Sequence, residues 1–185
     1  MANVNAPNGF RPLRHLKGGT IRPSEYPLAS GTGSNIHAGD IVKLLNTGVI
    51  DVAAATDTNL IGVVQGFQWT DTDGTPRFEK RFPSGQATLG SADVKALVFD
   101  DPDIVYEAQA STYSQTHNGN NADITATAGS SVTGISKHSI DMGSPGAGTA
   151  QIRILGLAEG SEAGAYARVE CLIWEHLLRG NVAGI

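Results

Sequence analysis

The 185-residue chain predicts a mainly β protein: a compact sandwich or barrel body with an extended N-terminal arm and a long loop-rich insertion. Three observations point there. Apolar residues recur with period two along most of the chain, and no stretch sustains the 3.6-residue period of a long amphipathic helix. Turn chemistry punctuates these runs, with 23 glycines and 8 prolines. Charged residues are only 17% and hydrophobic ones 40%, a small-residue composition that suits sheets and turns.

The arm is residues 1–27, "MANVNAPNGFRPLRHLKGGTIRPSEYP". Pro7, Pro12, Pro23 and Pro27, with Gly9, Gly18 and Gly19, argue against a long helix or a central strand. Residues 1–24 hold Arg11, Arg14, Lys17 and Arg22 and no acid, whereas the rest of the chain carries 18 acids against 9 bases. One reading is a solvated leader. The other is an arm whose anchors Phe10, Leu13, Leu16 and Tyr26 lie on a neighbouring acidic or apolar surface, with Arg11 and Arg14 beside them, as segments that order on binding do. Four cations on an acidic body are too few for a nucleic-acid backbone binder.

The body, residues 28–185, opens with a hairpin: runs at 40–45 and 49–53 flank Asn46-Thr47-Gly48, with Gly where a left-handed conformation is needed. Residues 60–69 form the next strand; strict alternation puts Ile61, Val63, Phe67 and Trp69 on one face and Gly62, Val64 and Gly66 on the other. The two glycines leave a flat strip for another backbone to approach. Further strands are expected at 77–82, 94–99, 104–110, 150–155 and 167–176. Residues 111–148, rich in Ser, Thr, Asn, Ala and Gly, form a loop-rich excursion or a small subdomain.

Chemical motifs fail one at a time. "GTGSNI" and "GAGTAQ" lack the third glycine of a dinucleotide fingerprint, and neither a phosphate loop nor a Gly-x-Ser-x-Gly elbow occurs. The single cysteine excludes an internal disulfide; in "VECLIWEHLL" a strand places Cys171 with Val169 and Ile173 on an apolar face, away from His176. His15, His37, His117, His138 and His176 lack zinc spacing. "TDTDGTP" and "FDDPD" read as solvated turns, with a weak cation site or a landing strip for a neighbour's basic arm as the alternative. No catalytic residue, metal or cofactor is expected. No run reaches the roughly 18 apolar residues of a membrane span, and the start lacks a signal-peptide core, so cytoplasmic synthesis without export by general secretion is expected.

The phrases "NAPNGFRPLRHL", "YPLASG…NIHAGDIVKL", "LIGVVQGFQWTDTDGTPRF", "VYEAQA", "SSVTGISKHSIDM…AQIRILGL" and "ARVECLIWEHLL" run over nearly the whole chain. In these the chain resembles virion structural proteins of tailed bacteriophages, the capsid cement or head decoration proteins. The 39–66 module is similar to the strand-turn-strand core of lambda-type head decoration proteins, whose fold is a β-tulip; the chain departs from them in its size and its 111–148 stretch. The resemblance implies a protein on the outer surface of a phage capsid, commonly a homotrimer, that clamps adjacent major capsid subunits and stiffens the head. With the charge pattern and the lack of a long apolar run, no membrane and no direct nucleic-acid contact are expected. Two other roles remain open: a tail or head-to-tail connector, and a carbohydrate-binding sandwich with Trp69 and Tyr113 as stacking platforms.

Overall fold

A computed structural model describes residues 3–28, 31–90 and 94–180, so the outermost ends of the expected arm and body lie outside the described residues. In chain order the strands are β1 (Arg11–His15), β2 (Ser24–Pro27), β3 (Ile36–His37), β4 (Ile41–Leu44), β5 (Ile50–Val52), β6 (Leu60–Thr70), β7 (Pro76–Glu79) and β8 (Arg81–Phe82). They continue with β9 (Lys95–Phe99), β10 (Ile104–Gln109), β11 (Thr112–Tyr113), β12 (Asn121–Thr125), β13 (Ser139–Gly146), β14 (Ile152–Leu157), β15 (Gly164–Ala165) and β16 (Arg168–Ile173). Among the described residues, helix is confined to two single 3-10 turns, Gln115–His117 and Leu177–Arg179. The protein is mainly β, as the alternation predicts.

Two six-stranded antiparallel sheets carry the fold. The first runs β1-β10-β16-β14-β12-β13; the second runs β2-β9-β6-β4-β5, with β7 pairing on β6. A parallel bridge between Leu28, just after β2, and Ile50 of β5 joins the two ends of the second sheet, which curls into a small barrel. Phe67, Trp69 and Phe82 fill this barrel with Leu28, Ile36 and Val98, and the Trp69 ring stands edge-on to Phe82 at 5.3 Å. The other core lies between the two sheets. Tyr106, Ile124, Ile154, Val169 and Ile173 of the first sheet meet Ile41, Leu60 and Val63 of the second.

The hairpin of β4 and β5 forms as expected, with Gly48 at φ 79° in its turn. On β6 the simple alternation breaks. Leu60 and Val63 face the intersheet core while Ile61, Val64, Phe67 and Trp69 enter the barrel, so Ile61 and Val63 do not share a face. The cause is a pair of irregularities, one against β4 between Val42 and Lys43 and one against β9 between Val64 and Gly66. Each inserts an extra residue and moves the following side chains to the opposite face. That switching is what lets one strand serve two cores.

Residues 111–148 are not an excursion. They supply β12 and β13, which complete the first sheet, and β11, which pairs with β15. Small and polar residues concealed the strands, because their inward positions are few: Ala122 and Ile124 on β12, Ile140 and Met142 on β13.

The arm is likewise part of the body. β1 is an edge strand of the first sheet, paired with β10, and β2 is a strand of the barrel, paired with β9. Pro12 and Pro27 fit these positions because edge and terminal strand residues can forgo a ladder donor. Phe10 is 1% exposed in the intersheet core, and its N–H donates to the Gly39 carbonyl.

Candidate functional site

Of the arm residues expected to hold a neighbour, Phe10, Arg11, Arg14 and Tyr26 have partners within the chain itself. Glu107 of β10 and Glu170 of β16 are directly opposite each other, a like-charge pair that is unfavourable alone. Arg11 ion-pairs with Glu107, Arg168 reaches the same carboxylate at 3.2 Å, and Arg14 meets Glu170 at 2.8 Å. Leu13 and Leu16 remain exposed, Phe10 is core, and the Tyr26 hydroxyl donates to Asp100 at 2.9 Å. Burial and that contact with Asp100 push the phenol well above its usual value. The six residues therefore do not form one outward surface, and their basic members neutralise acids of the sheet.

The "FDDPD" loop receives the same arm. His15 Nε2 lies 3.0 Å from Asp101, Lys17 2.6 Å from Asp103, and the Ser24 hydroxyl 2.9 Å from Asp100. Burial pushes the Asp101 carboxyl upward, but the Asp103 N–H and His15 outweigh it and hold the group below its usual range. His15, Asp101 and Asp103 are close enough to share an ion. Lys17 and Arg179, 3.8 Å from Asp103, already supply positive charge there. The loop is a landing strip, and the arm that lands on it belongs to the same chain.

Reactive groups lie inside. Cys171 faces the intersheet core with Val169 and Ile173, as its alternation predicts, and burial pushes its thiol far up. Asp40, 1% exposed, stands between two buried histidines: its carboxylate is 3.4 Å from His37 Nδ1 and 3.4 Å from His138 Nε2. It also accepts a hydrogen bond from the His37 N–H at 2.7 Å. Sequence spacing concealed this cluster, because His138 is brought in by the 129–138 loop across a bridge between Ala38 and Ile135. Trp69 and Tyr113 are both buried, so neither offers the stacking face that a carbohydrate site would use.

His176 caps the last 3-10 turn, accepting from the Leu178 N–H at 3.2 Å. Burial first, and Arg179 second, push its pKa down to about 4 against the pull of Asp100 and Asp101. Burial lowers His138 as well. Both rings bind a proton more readily in the unfolded chain, so their contribution is intact above the unfolded pKa and declines as pH falls through it. For His176 the decline runs from about pH 6.5 to about pH 4 and amounts to about 3 kcal/mol. Glu175, raised by burial and by Asp123, opposes this near its own titration. Urea unfolding is expected to show a lower midpoint at about pH 4 than at about pH 7, with a smaller drop in His176→Gln. Equal midpoints in the native chain would contradict the assignment.

Three clefts open near the 129–138 loop. The largest, about 690 Å³, runs between Asn5–Asn8 and this loop, is lined by hydroxyl and amide groups, and holds Lys137. No acidic side chain lines it. Comparison with protein-family models, curated proteins and solved structures finds no match for the chain.

Proposed function

We propose that this is a viral structural protein, a capsid cement that binds the outside of a phage head and holds adjacent major capsid subunits. The observation that carries the reading is the division of chemistry between inside and outside. Cys171, His37, Asp40, His138 and His176 are all buried, while Phe78, Leu89 and Val132 are large apolar groups left exposed. Such a surface is suited to contact and such an interior to stability. Repetition over a symmetric shell makes modest interfaces avid, so no single contact has to be strong. The phrases that resemble head decoration proteins support the same role.

Co-sedimentation with expanded heads of the cognate major capsid subunit tests it. Binding at a copy number of hundreds per particle is expected. No binding, or a single ring of about a dozen copies or fewer, rejects the cement role, the latter in favour of a connector. Deleting residues 1–24 is not a clean test of this role, because it removes Phe10 from the core and leaves Glu107 and Glu170 facing each other.

A further inference from the structure

The 13 Lys and Arg side chains are not neutralised evenly. Arg11, Arg14 and Lys17 of the arm and most of those on the two sheets reach a carboxylate, for example Lys43 with Asp57 at 2.9 Å and Arg77 with Asp71 at 3.3 Å. Arg153 stacks on Trp174 at 3.2 Å. Among the described residues, Arg22, Lys80, Arg81 and Lys137 have no acidic partner within 4 Å. Three of these four surround the 129–138 loop. On a chain of net charge −5 this leaves one locally positive face.

The same face is apolar and has an open strand edge. Among the described residues β7 pairs only with β6, and all four of its residues are exposed, Phe78 at 69%. Val132, at the tip of the loop, is 93% exposed. Lys80 stands between two clefts. One, about 250 Å³, is lined by Arg81, Val132 and Thr133 and by one acid, Glu79, against which Lys80 and Arg81 leave an excess of positive charge. The other, about 320 Å³, has walls of Phe10, Ala38, Val64, Phe99 and Ile135. Phe10 thus enters recognition as the wall of a cleft, whereas the sequence suggested an anchor.

We propose that the open edge of β7, with Lys80, Arg81 and the 131–134 loop, is a docking face for an extended acidic segment of a protein partner. The segment adds as a strand along β7, its acids meet Lys80 and Arg81, and one large apolar side chain fills the 320 Å³ cleft. Charge complementarity selects the acidic partner. The apolar walls select protein over nucleic acid, whose repeating phosphates demand a denser array of cations. The inference rests on the reading of the chain as a structural binding protein and names the face it uses.

Two binding measurements test it, using the full chain and the double variant Lys80→Glu/Arg81→Glu. In the first, a fluorescein-labelled peptide of alternating Glu and Val is titrated by anisotropy beside its Lys-Val counterpart and a DNA oligonucleotide. The Glu-Val peptide is expected to bind best, to weaken with salt, and to lose roughly tenfold or more in affinity to the variant, whose melting temperature stays native. Unchanged affinity in the variant, equal binding of the Lys-Val peptide, or tighter binding of DNA overturns the proposal. In the second, both proteins are offered to heads. If native protein binds the acidic peptide but not heads, the capsid reading falls alone. If the variant decorates heads as well as the native protein does, the docking face falls alone.

Discussion

Gly62→Val is expected to be the most damaging single substitution in the chain. β6 is the strand both cores share, and at Gly62 it passes so close to β9 that an added Cβ would lie 2.1 Å from the Phe99 carbonyl oxygen and 2.9 Å from Val98 Cγ1. The first of these is a backbone atom within the barrel wall, so no rotamer change relieves the clash. Gly62 also sits at φ 152°, where side chains are rarely accommodated. Forcing the strands apart loses ladder hydrogen bonds and loosens the packing of Leu60 and Val63 on one side and Ile61 and Val64 on the other. A loss above about 4 kcal/mol follows, a large part of a typical domain's stability. The readout is soluble yield and, for protein that folds, a melting temperature lower by about 10 °C or more. Gly48→Ala is the control: φ is 79° there too, but nothing lies within 4 Å of the added carbon, so its cost is backbone strain alone, about 1 kcal/mol. A Gly62→Val protein as stable as the Gly48→Ala control would refute the close-approach account.

Asp40→Ala is the second large effect. Asp40 ties its own turn to two segments that are distant in sequence. It faces His37 on its own turn and His138 on the 129–138 loop, while its backbone bonds with Val64 of β6 at 3.0 Å. Removing it leaves the His37 N–H without its 2.7 Å acceptor and both rings without their only nearby anion among the described residues. Leaving buried polar groups without their acceptor costs about 1–3 kcal/mol each. Asp40→Asn keeps a carbonyl acceptor for the His37 N–H and is expected to lose less. Urea denaturation of the two variants separates the charge from the hydrogen bond; a loss below about 1 kcal/mol in Asp40→Ala would show the cluster to be dispensable. Because the 129–138 loop also frames the β7 docking face, Asp40→Ala should weaken peptide binding as well.

Much of the architecture was legible along the chain, and the exceptions share one cause. Strands with strong alternation, such as β16 with Val169, Cys171 and Ile173 inward, are read directly because their pattern is local. β12 and β13 were not, since Asn, Ser, Gly and Asp occupy most of their positions and their strand character comes from pairing with β14 and with each other. β6 was read as one regular strand because a bulge leaves no mark in composition. The site divides the same way. The charge asymmetry between residues 1–24 and the rest was visible, but its meaning depended on whether Glu107, Glu170 and Asp103 belonged to this chain or to a neighbour.

The amino-acid sequence alone determined the β class, the Gly48 turn, the inward cysteine and the basic N-terminal segment, because each follows from side-chain periodicity, backbone permissiveness or a count of charges. Only the tertiary structure decided where that segment lies, which cations stay unpaired, and that Asp40 meets His138. Those facts depend on contacts between residues about a hundred positions apart or more, such as the 97 residues between Ile41 and His138, and a linear pattern carries no record of such neighbours.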